Sequence, residues 1–272
     1  HGLGVETTLI YRGKEILNGF DGDMRKGLHE AMEAKGIRII LEDVIQDVSK
    51  DGAGGFVART KQGASVHVGL VMLALGRDPN TKGLGLEKAG VEINEKGAII
   101  VDDYSRTNVP HIYALGDVTD RVQLTPVAIH EAMCFIETEF KNNPTKPDHH
   151  LIATAVFSQP EIGTVGLSEE QAASKFEEVE VYRAQFRPMK ATLSGRQEKT
   201  IMKLLVNAAD RKVVGAHILG HEAGEMAQLL GITLKAGCTK DDFDATMAVH
   251  PTAAEELVTM YTPSYRIKNG ER

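Results

Sequence analysis

Between residues 6 and 76 the chain runs strand, helix, strand, hairpin and strand, and that order is the strongest constraint on its fold. ETTLIY (6–11) is rich in β-formers and reads as a buried strand. FDGDMRKGLHEAMEAKG (20–36) reads as a helix: Asp21 suits an N-cap, Met24, Leu28, Ala31 and Met32 share one face, and Gly36 suits the end. IRIILED is a second strand. GGFVARTKQGASVHVGLVMLALG reads as a hairpin that feeds a continuously apolar, buried strand, LVMLALG (70–76). This is the order of the later part of a βαβ dinucleotide-binding unit, whose opening strand and glycine-rich turn would lie before His1.

GRDPNT (76–81) breaks the pattern and reads as a crossing linker. GAIIVDDYSRTNVPHIYALGDV supplies short strands, and TPVAIHEAMCFIETEFKNNP (125–144) is a helix with Pro126 near its start. NNPTKPDHH (142–150) reads as a boundary in which His149 and His150 are solvent-exposed. Beyond it, IATAVF, GTVGL, EVEVYRAQF, TIMKLLVN and KVVGAHILG read as strands. EAGEMAQLLGITLKAG (222–237) and TAAEELVTMY (252–261) read as helices, and KATLSGRQEK (190–199) as a basic, flexible surface loop. The expected fold class is α/β followed by α+β, in segments 1–76, 77–147 and 148–272.

Charge and composition exclude some partners. A net charge of −7 over 272 residues argues against a phosphate-backbone binder, so no nucleic-acid partner is expected. No apolar run approaches the roughly 20 residues of a membrane-spanning helix, so no membrane partner is expected. Cys134 and Cys238 form no CxxC pair and sit at no zinc spacing. Both read as buried or partly buried thiols of a cytoplasmic protein, with no metal site.

Three stretches carry chemistry, and each also has a plain structural explanation. Gly116 would let backbone approach a ligand closely, and Asp117 can accept hydrogen bonds from polyol hydroxyls. A helix starting near Thr125 would aim free N–H groups at the same place. A flavin meets both needs, with ribityl hydroxyls and negative charge near N1 and O2 when reduced; a turn aspartate capping its own loop is the alternative. In MAVHPTAAEELV, Pro251 fixes the backbone after His250, and Thr252 and Glu255 have capping-box spacing. Glu255 can be simply a cap, or Glu255 or Glu256 can hold His250 as a proton donor and acceptor. After ETTLIY, Arg12 and Lys14 stand where an acidic residue often binds a ribose 2′-hydroxyl. A guanidinium there suits the 2′-phosphate of NADP, and a solvated basic strand end explains the same residues.

LALGRDPNT, IYALGDV with LTPVAI, VFSQPEIGTVGLSEEQA, FRPMKATLSG and HPTAAEELV follow one another along essentially the whole chain. Together they resemble the pyridine nucleotide–disulfide oxidoreductases, and within them the glutathione-reductase branch of bacterial and plant type. The resemblance implies FAD and NADP as cofactors, glutathione disulfide as substrate and a homodimer. It places Gly116 and Asp117 at the flavin ribityl chain, and Leu124 and Thr125 against the flavin ring. It places Arg12, Gly76 and Arg77 on the NADP side, and makes His250, oriented by Glu255, the proton donor to the leaving thiolate in the partner subunit's site. It also implies that the first flavin-binding GxGxxG, a redox CxxxxC and the first half of the NADP domain lie outside these residues, so the chain alone is expected to be inactive. Two positions depart from the family pattern. Asn18 stands where a second basic residue is common, and Met133 where some members use arginine to contact glutathione. The trypanothione, mercuric and dihydrolipoamide enzymes are alternatives within the family. A module that only dimerises is the alternative outside it, and a positioned His–carboxylate pair argues against that.

Overall fold

The computed structural model describes residues 1–272. β1 (Thr8–Ile10) and β2 (Arg38–Ile40) pair in parallel, with Leu9 opposite Ile39, and α1 (Gly22–Ala34) connects them. The helix is built as its sequence predicts: the Asp21 carboxylate accepts from the Asp23 N–H, Met24 and Leu28 are buried, and Gly36 turns the chain away at φ +95°. β3 (Ile45–Lys50), β4 (Phe56–Thr60) and β5 (Ser65–Val68) then form an antiparallel meander, one strand more than the predicted hairpin. β3 escapes sequence reading because Ile45 and Val48 are its only aliphatic residues, too few to set a period.

LVMLALG is not a buried strand. It is irregular, and Leu75 is 88% exposed. A strand exists only by pairing, and the parallel sheet contains β1 and β2 alone. Apolar sequence supplies a face to bury but no neighbour to bury it against.

The chain divides into two compact units, Met72–His150 and the remainder. Within the first, α2 (Leu86–Ala89) and α3 (Thr125–Phe140) are the α-helices. The short strands expected between residues 97 and 118 reduce to isolated bridges, Ile93 with Ile99 and Arg106 with Tyr113. Local capture explains this. Asn94 takes the Lys96 and Ala98 amides, and Asp102 takes those of Tyr104 and Arg106, so side chains satisfy the backbone that a ladder would need.

From residue 151 onward the elements are β6 (Thr154–Val156), β7 (Glu161–Gly166), α4 (Glu169–Lys175), β8 (Glu178–Phe186), α5 (Met189–Ser194), β9 (Thr200–Asn207), β10 (Val213–Gly220), α6 (Ala223–Lys235), α7 (Lys240–Ala245), α8 (Glu256–Thr259) and β11 (Tyr265–Lys268). The strands form one antiparallel sheet in the order β11-β8-β9-β10-β7-β6. The loop predicted at 190–199 begins inside α5, and the helix predicted at 252–261 is a 3-10 turn (Ala253–Glu255) followed by the single turn of α8. α4 and α7 carry a local signal of their own: each opens on a complete capping box, Ser168 with Gln171 and Thr239 with Asp242.

Both faces of this sheet are covered. Met202, Leu204, Val206, Ala216 and Ile218 pack against α6, α7 and α8, while Ile162, Ile201 and Leu219 pack against Met24 and Leu28 of α1. Gly27 sets the closeness of α1, since a Cβ there would lie 2.7 Å from both Ile201 and Leu219. On the α1 face of β9 lies Lys203, 1% exposed, its ammonium 3.0 Å from Asp21 and 2.8 Å from Asp23 and also bonded to Glu169. Burial alone would lower the Lys203 pKa, but the three carboxylates hold it raised and the amine charged.

His217, on the same face of β10, is also buried. Its Nε2 donates to the Leu167 carbonyl at 2.8 Å, so its Nδ1 accepts from the Thr164 hydroxyl. Burial holds this imidazole below its usual pKa, although Asp21 pulls the other way. The unfolded chain therefore takes up a proton that the fold refuses, and stability present above about pH 6.5 is lost as the pH falls below it. Urea unfolding at pH 7.5, 6 and 5 should show this group removing up to about 1.4 kcal/mol per pH unit below pH 6.5. His217→Gln should flatten that slope; parallel slopes would show that His217 titrates normally in the fold.

Candidate active and cofactor sites

Asp117 sits in a single 3-10 turn, Gly116–Thr119, entered from extended Leu115. Gly116 adopts φ +70°, and a Cβ there would come within 2.9 Å of the Ala128 Cβ on α3, so handedness and packing both demand glycine. Behind the turn lies Glu131, 1% exposed. One of its oxygens accepts from the Gly116 N–H at 2.6 Å; the other receives Arg121 at 2.9 Å and His149 Nε2 at 2.7 Å. The Thr119 hydroxyl donates to the Gly116 carbonyl and itself accepts from Arg121. His149 is therefore half-buried and engaged, against the expectation that it is a free surface residue.

In front of the turn the chemistry is open. Asp117 is exposed and its carboxylate takes no partner from the protein. α3 begins at Thr125 with no side-chain cap and no acidic residue in its first turn; Pro126 has no N–H and the Val127 and Ala128 amides donate to the Leu124 carbonyl, so the Thr125 amide and the positive helix end are what stay available beside Leu124. An unpartnered acceptor next to an uncapped helix start suits a ligand that is a polyol at one end and anionic at the other. A flavin fits that donor set and the glycine-lined approach.

Glu131 was missed in the sequence, but it left a signal. The buried residues of α3 are Val127, Glu131, Cys134 and Thr138, a helical stripe in which one member is a carboxylate. A charge on an apolar stripe needs partners, and here they are a backbone amide, a guanidinium and an imidazole.

His250 follows an exposed run in which Met247 and Val249 are unburied. Its Nδ1 lies 3.0 Å and 3.2 Å from the two Glu255 oxygens, so the partner is Glu255; Glu256 takes no part. Thr252 accepts from the Glu255 N–H at 3.2 Å, which is half of a capping box. The other half is not made, because the Glu255 carboxylate turns to His250 instead of back to the cap. With Nδ1–H donated to a carboxylate, Nε2 is the nitrogen free to exchange a proton, and the side chain is 76% exposed. An ion pair this open adds little stability, so folding does not explain it.

Arg12 and Lys14 lie beyond β1 on a loop tied to α1: Arg25 donates to the Ile16 carbonyl at 2.7 Å and the Glu15 carbonyl at 2.8 Å, and Glu15 meets His29 at 2.8 Å. Both cations are exposed and pair with no carboxylate of the chain, and Asn18 is exposed beside them. Gly76, at φ +110°, and Arg77 are exposed in irregular chain. No group of histidine, cysteine and carboxylate side chains is arranged to hold a metal ion.

A parallel pair with its helix, a glycine–aspartate turn at an uncapped helix and an exposed His–Glu pair before α8 are the arrangement a cofactor-binding redox protein would use. Residues 1–132 match the family described as pyridine nucleotide-disulphide oxidoreductase, and residues 152–261 its dimerisation domain. The chain belongs to this family. It is 47% identical over 271 residues to glutathione reductase, chloroplastic/mitochondrial, of Pisum sativum, covering 100% of this chain and 49% of that protein. It is 44% identical over 271 residues to trypanothione reductase of Trypanosoma congolense, covering 99% of this chain and 55% of that protein. The chain thus spans about half the length of these relatives. Among solved structures, the HOCl-induced flavoprotein disulfide reductase RclA from Escherichia coli shares the fold, with a TM-score of 0.85, 24% identity, and coverage of 93% of this chain and 58% of that one. The family's description names a pyridine nucleotide, and the solved structure is that of a flavoprotein. No helix is long and apolar enough to cross a membrane.

Proposed function

We propose that these residues are the later part of a cytoplasmic, homodimeric, NADPH-dependent FAD disulfide reductase that converts glutathione disulfide to two glutathiones. In this reading residues 1–76 belong to the NADP domain, 77–147 to the second flavin segment and 148–272 to the dimer-forming domain. The observation that carries it is the diversion of Glu255 from its helix cap to His250. FAD, when bound, would relay two electrons from the nicotinamide to a redox cysteine pair supplied by the half of the relatives that this chain does not span.

The chain's own residues then have separate tasks. Asp117 accepts from ribityl hydroxyls while Gly116 keeps the approach clear. The open Thr125 amide after Leu124, at the positive end of α3, favours negative charge on the ring. Arg12, with Gly76 and Arg77 on the same cofactor's side, grips the 2′-phosphate. Glu255 holds the Nδ1 proton of His250, so that Nε2 delivers a proton to the departing glutathione sulfur in the partner subunit's site. A thiolate leaves more readily once protonated, which gives the pair its value.

A second reading, trypanothione disulfide as substrate, is favoured by Met133, 53% exposed on α3 at the place where some family members use an arginine to contact glutathione. Turnover of the full-length protein with each disulfide decides between the two; tenfold or greater preference in kcat/KM, about 1.4 kcal/mol, names the substrate. The same assay tests Arg12. Arg12→Ala removes a charge-assisted contact of about 1.5–3 kcal/mol, so NADPH affinity should fall by roughly one to two decades while NADH kinetics stay unchanged. Equal losses for both nucleotides would remove Arg12 from cofactor choice.

A further inference from the structure

We propose that Glu131 is a positioning residue for the flavin: it holds the Gly116–Thr119 turn in the one conformation that presents Asp117 to the ribityl chain. The proposal rests on the flavin reading of that turn. It starts from a ring of hydrogen bonds that closes behind the turn. Glu131 accepts the Gly116 amide at 2.6 Å, the Gly116 carbonyl accepts the Thr119 hydroxyl at 2.8 Å, Thr119 accepts Arg121 at 3.2 Å, and Arg121 returns to Glu131 at 2.9 Å. Arg121 also reaches Ser105 at 3.2 Å, and His149 closes on the outer Glu131 oxygen at 2.7 Å.

No side chain of the ring bonds to the Asp117 carboxylate; the ring's bonds to the turn are to the Gly116 amide and carbonyl, so its effect on Asp117 runs through the backbone it holds. That backbone needs holding. Gly116 is in the left-handed region, where glycine has as many competing conformations as it has anywhere, and it is followed by one short helical turn with no side-chain cap. Asp117, the one acidic side chain in the turn, is free at the surface and takes its direction from Gly116, whose amide Glu131 holds and whose carbonyl Thr119 holds. A buried carboxylate is costly unless its partners are all present, and here a guanidinium and an imidazole share one oxygen while the other is kept for a single peptide N–H.

Glutamine in place of Glu131 keeps the shape and can still accept from Gly116. Its amide group then faces the donors of Arg121 and His149, and the brace opens. The test is a double-mutant cycle on FAD dissociation constants of the reversibly stripped full-length protein, with Glu131→Gln, Asp117→Ala and both. Glu131→Gln should weaken FAD about tenfold in the wild-type background and less than about twofold once Asp117 is gone, because two residues acting through one contact do not add. Hydrogen exchange at the Gly116 amide should quicken in the same variant without FAD present. Equal weakening in both backgrounds would show that Glu131 only supports the fold and would overturn the proposal; so would unchanged affinity in Glu131→Gln. If the glutamine variant does not fold, Thr119→Val, which removes one link of the ring at constant volume, takes its place in the cycle with the same coupled loss expected. A wild-type protein that binds no FAD would overturn the flavin reading itself, a result separate from any pattern within the cycle.

Discussion

His250→Ala is expected to slow disulfide reduction by about 10²–10⁴-fold, the usual worth of a positioned acid–base group, while NADPH still reduces the flavin at the wild-type rate. In the proposed reaction, hydride transfer to the flavin needs no proton from this imidazole, whereas expulsion of the glutathione sulfur does. Stopped-flow at the flavin absorbance separates the two half-reactions. Glu255→Gln should lie between wild type and His250→Ala, because the amide still accepts from Nδ1 at the 3.0 Å position but no longer stabilises the imidazolium. If the His250 of one subunit serves the site of the other, mixing His250→Ala subunits with subunits lacking the redox cysteines restores activity. Each heterodimer then has one site with both defects and one with neither. Verified heterodimers that stay inactive would mean that His250 serves its own subunit, and a His250→Ala enzyme with normal disulfide turnover would return the pair to a capping role.

Lys203→Met should destabilise the protein by about 3–5 kcal/mol, the range for removing one partner from a buried ion pair. Against the roughly 5–15 kcal/mol that holds a typical domain folded, that is a large fraction. The methionine fills nearly the same space, so the loss measures charge: Asp21, wholly buried, is left without its ammonium. Asp23 and Glu169 keep part of their solvent contact, which places the expected loss toward the lower end. Asp21→Asn added to Lys203→Met should recover part of the stability, because the stranded carboxylate is gone; the recovery is incomplete because the single amide oxygen can keep only one of the two N–H donors, Asp23 or Glu169, that the two carboxylate oxygens accept. Urea midpoints read both effects. A Lys203→Met loss under about 1 kcal/mol would show that water reaches the cluster and that the packing of α1 on the sheet does not depend on it.

The sequence by itself determined the elements whose information is local. α1 followed from Asp21, the stripe that includes Met24 and Leu28, and Gly36; β8, β9 and β10 followed from their β-branched and aliphatic runs; Gly116 and the Thr252–Glu255 spacing marked where to look for chemistry. Those signals reside within a few residues of chain, where the 3.6- and 2-residue periods and cap chemistry act. Tertiary structure alone decided what depends on a distant partner. LVMLALG has the composition of a buried strand and is irregular in this chain, whose parallel sheet holds β1 and β2 alone; a strand needs a paired neighbour as well as apolar residues. Lys203 breaks the pattern of TIMKLLVN, yet only the arrival of Asp21, 182 residues away, shows that a charge belongs there. Glu255 had two spacings open to it, and only the fold turned its carboxylate from the cap to His250. Glu131 shows the same division within one residue: its place on a buried stripe is written in the 3.6-residue period of α3, while the amide, guanidinium and imidazole that make its burial tolerable come from Gly116, Arg121 and His149, which meet it only when the chain is folded.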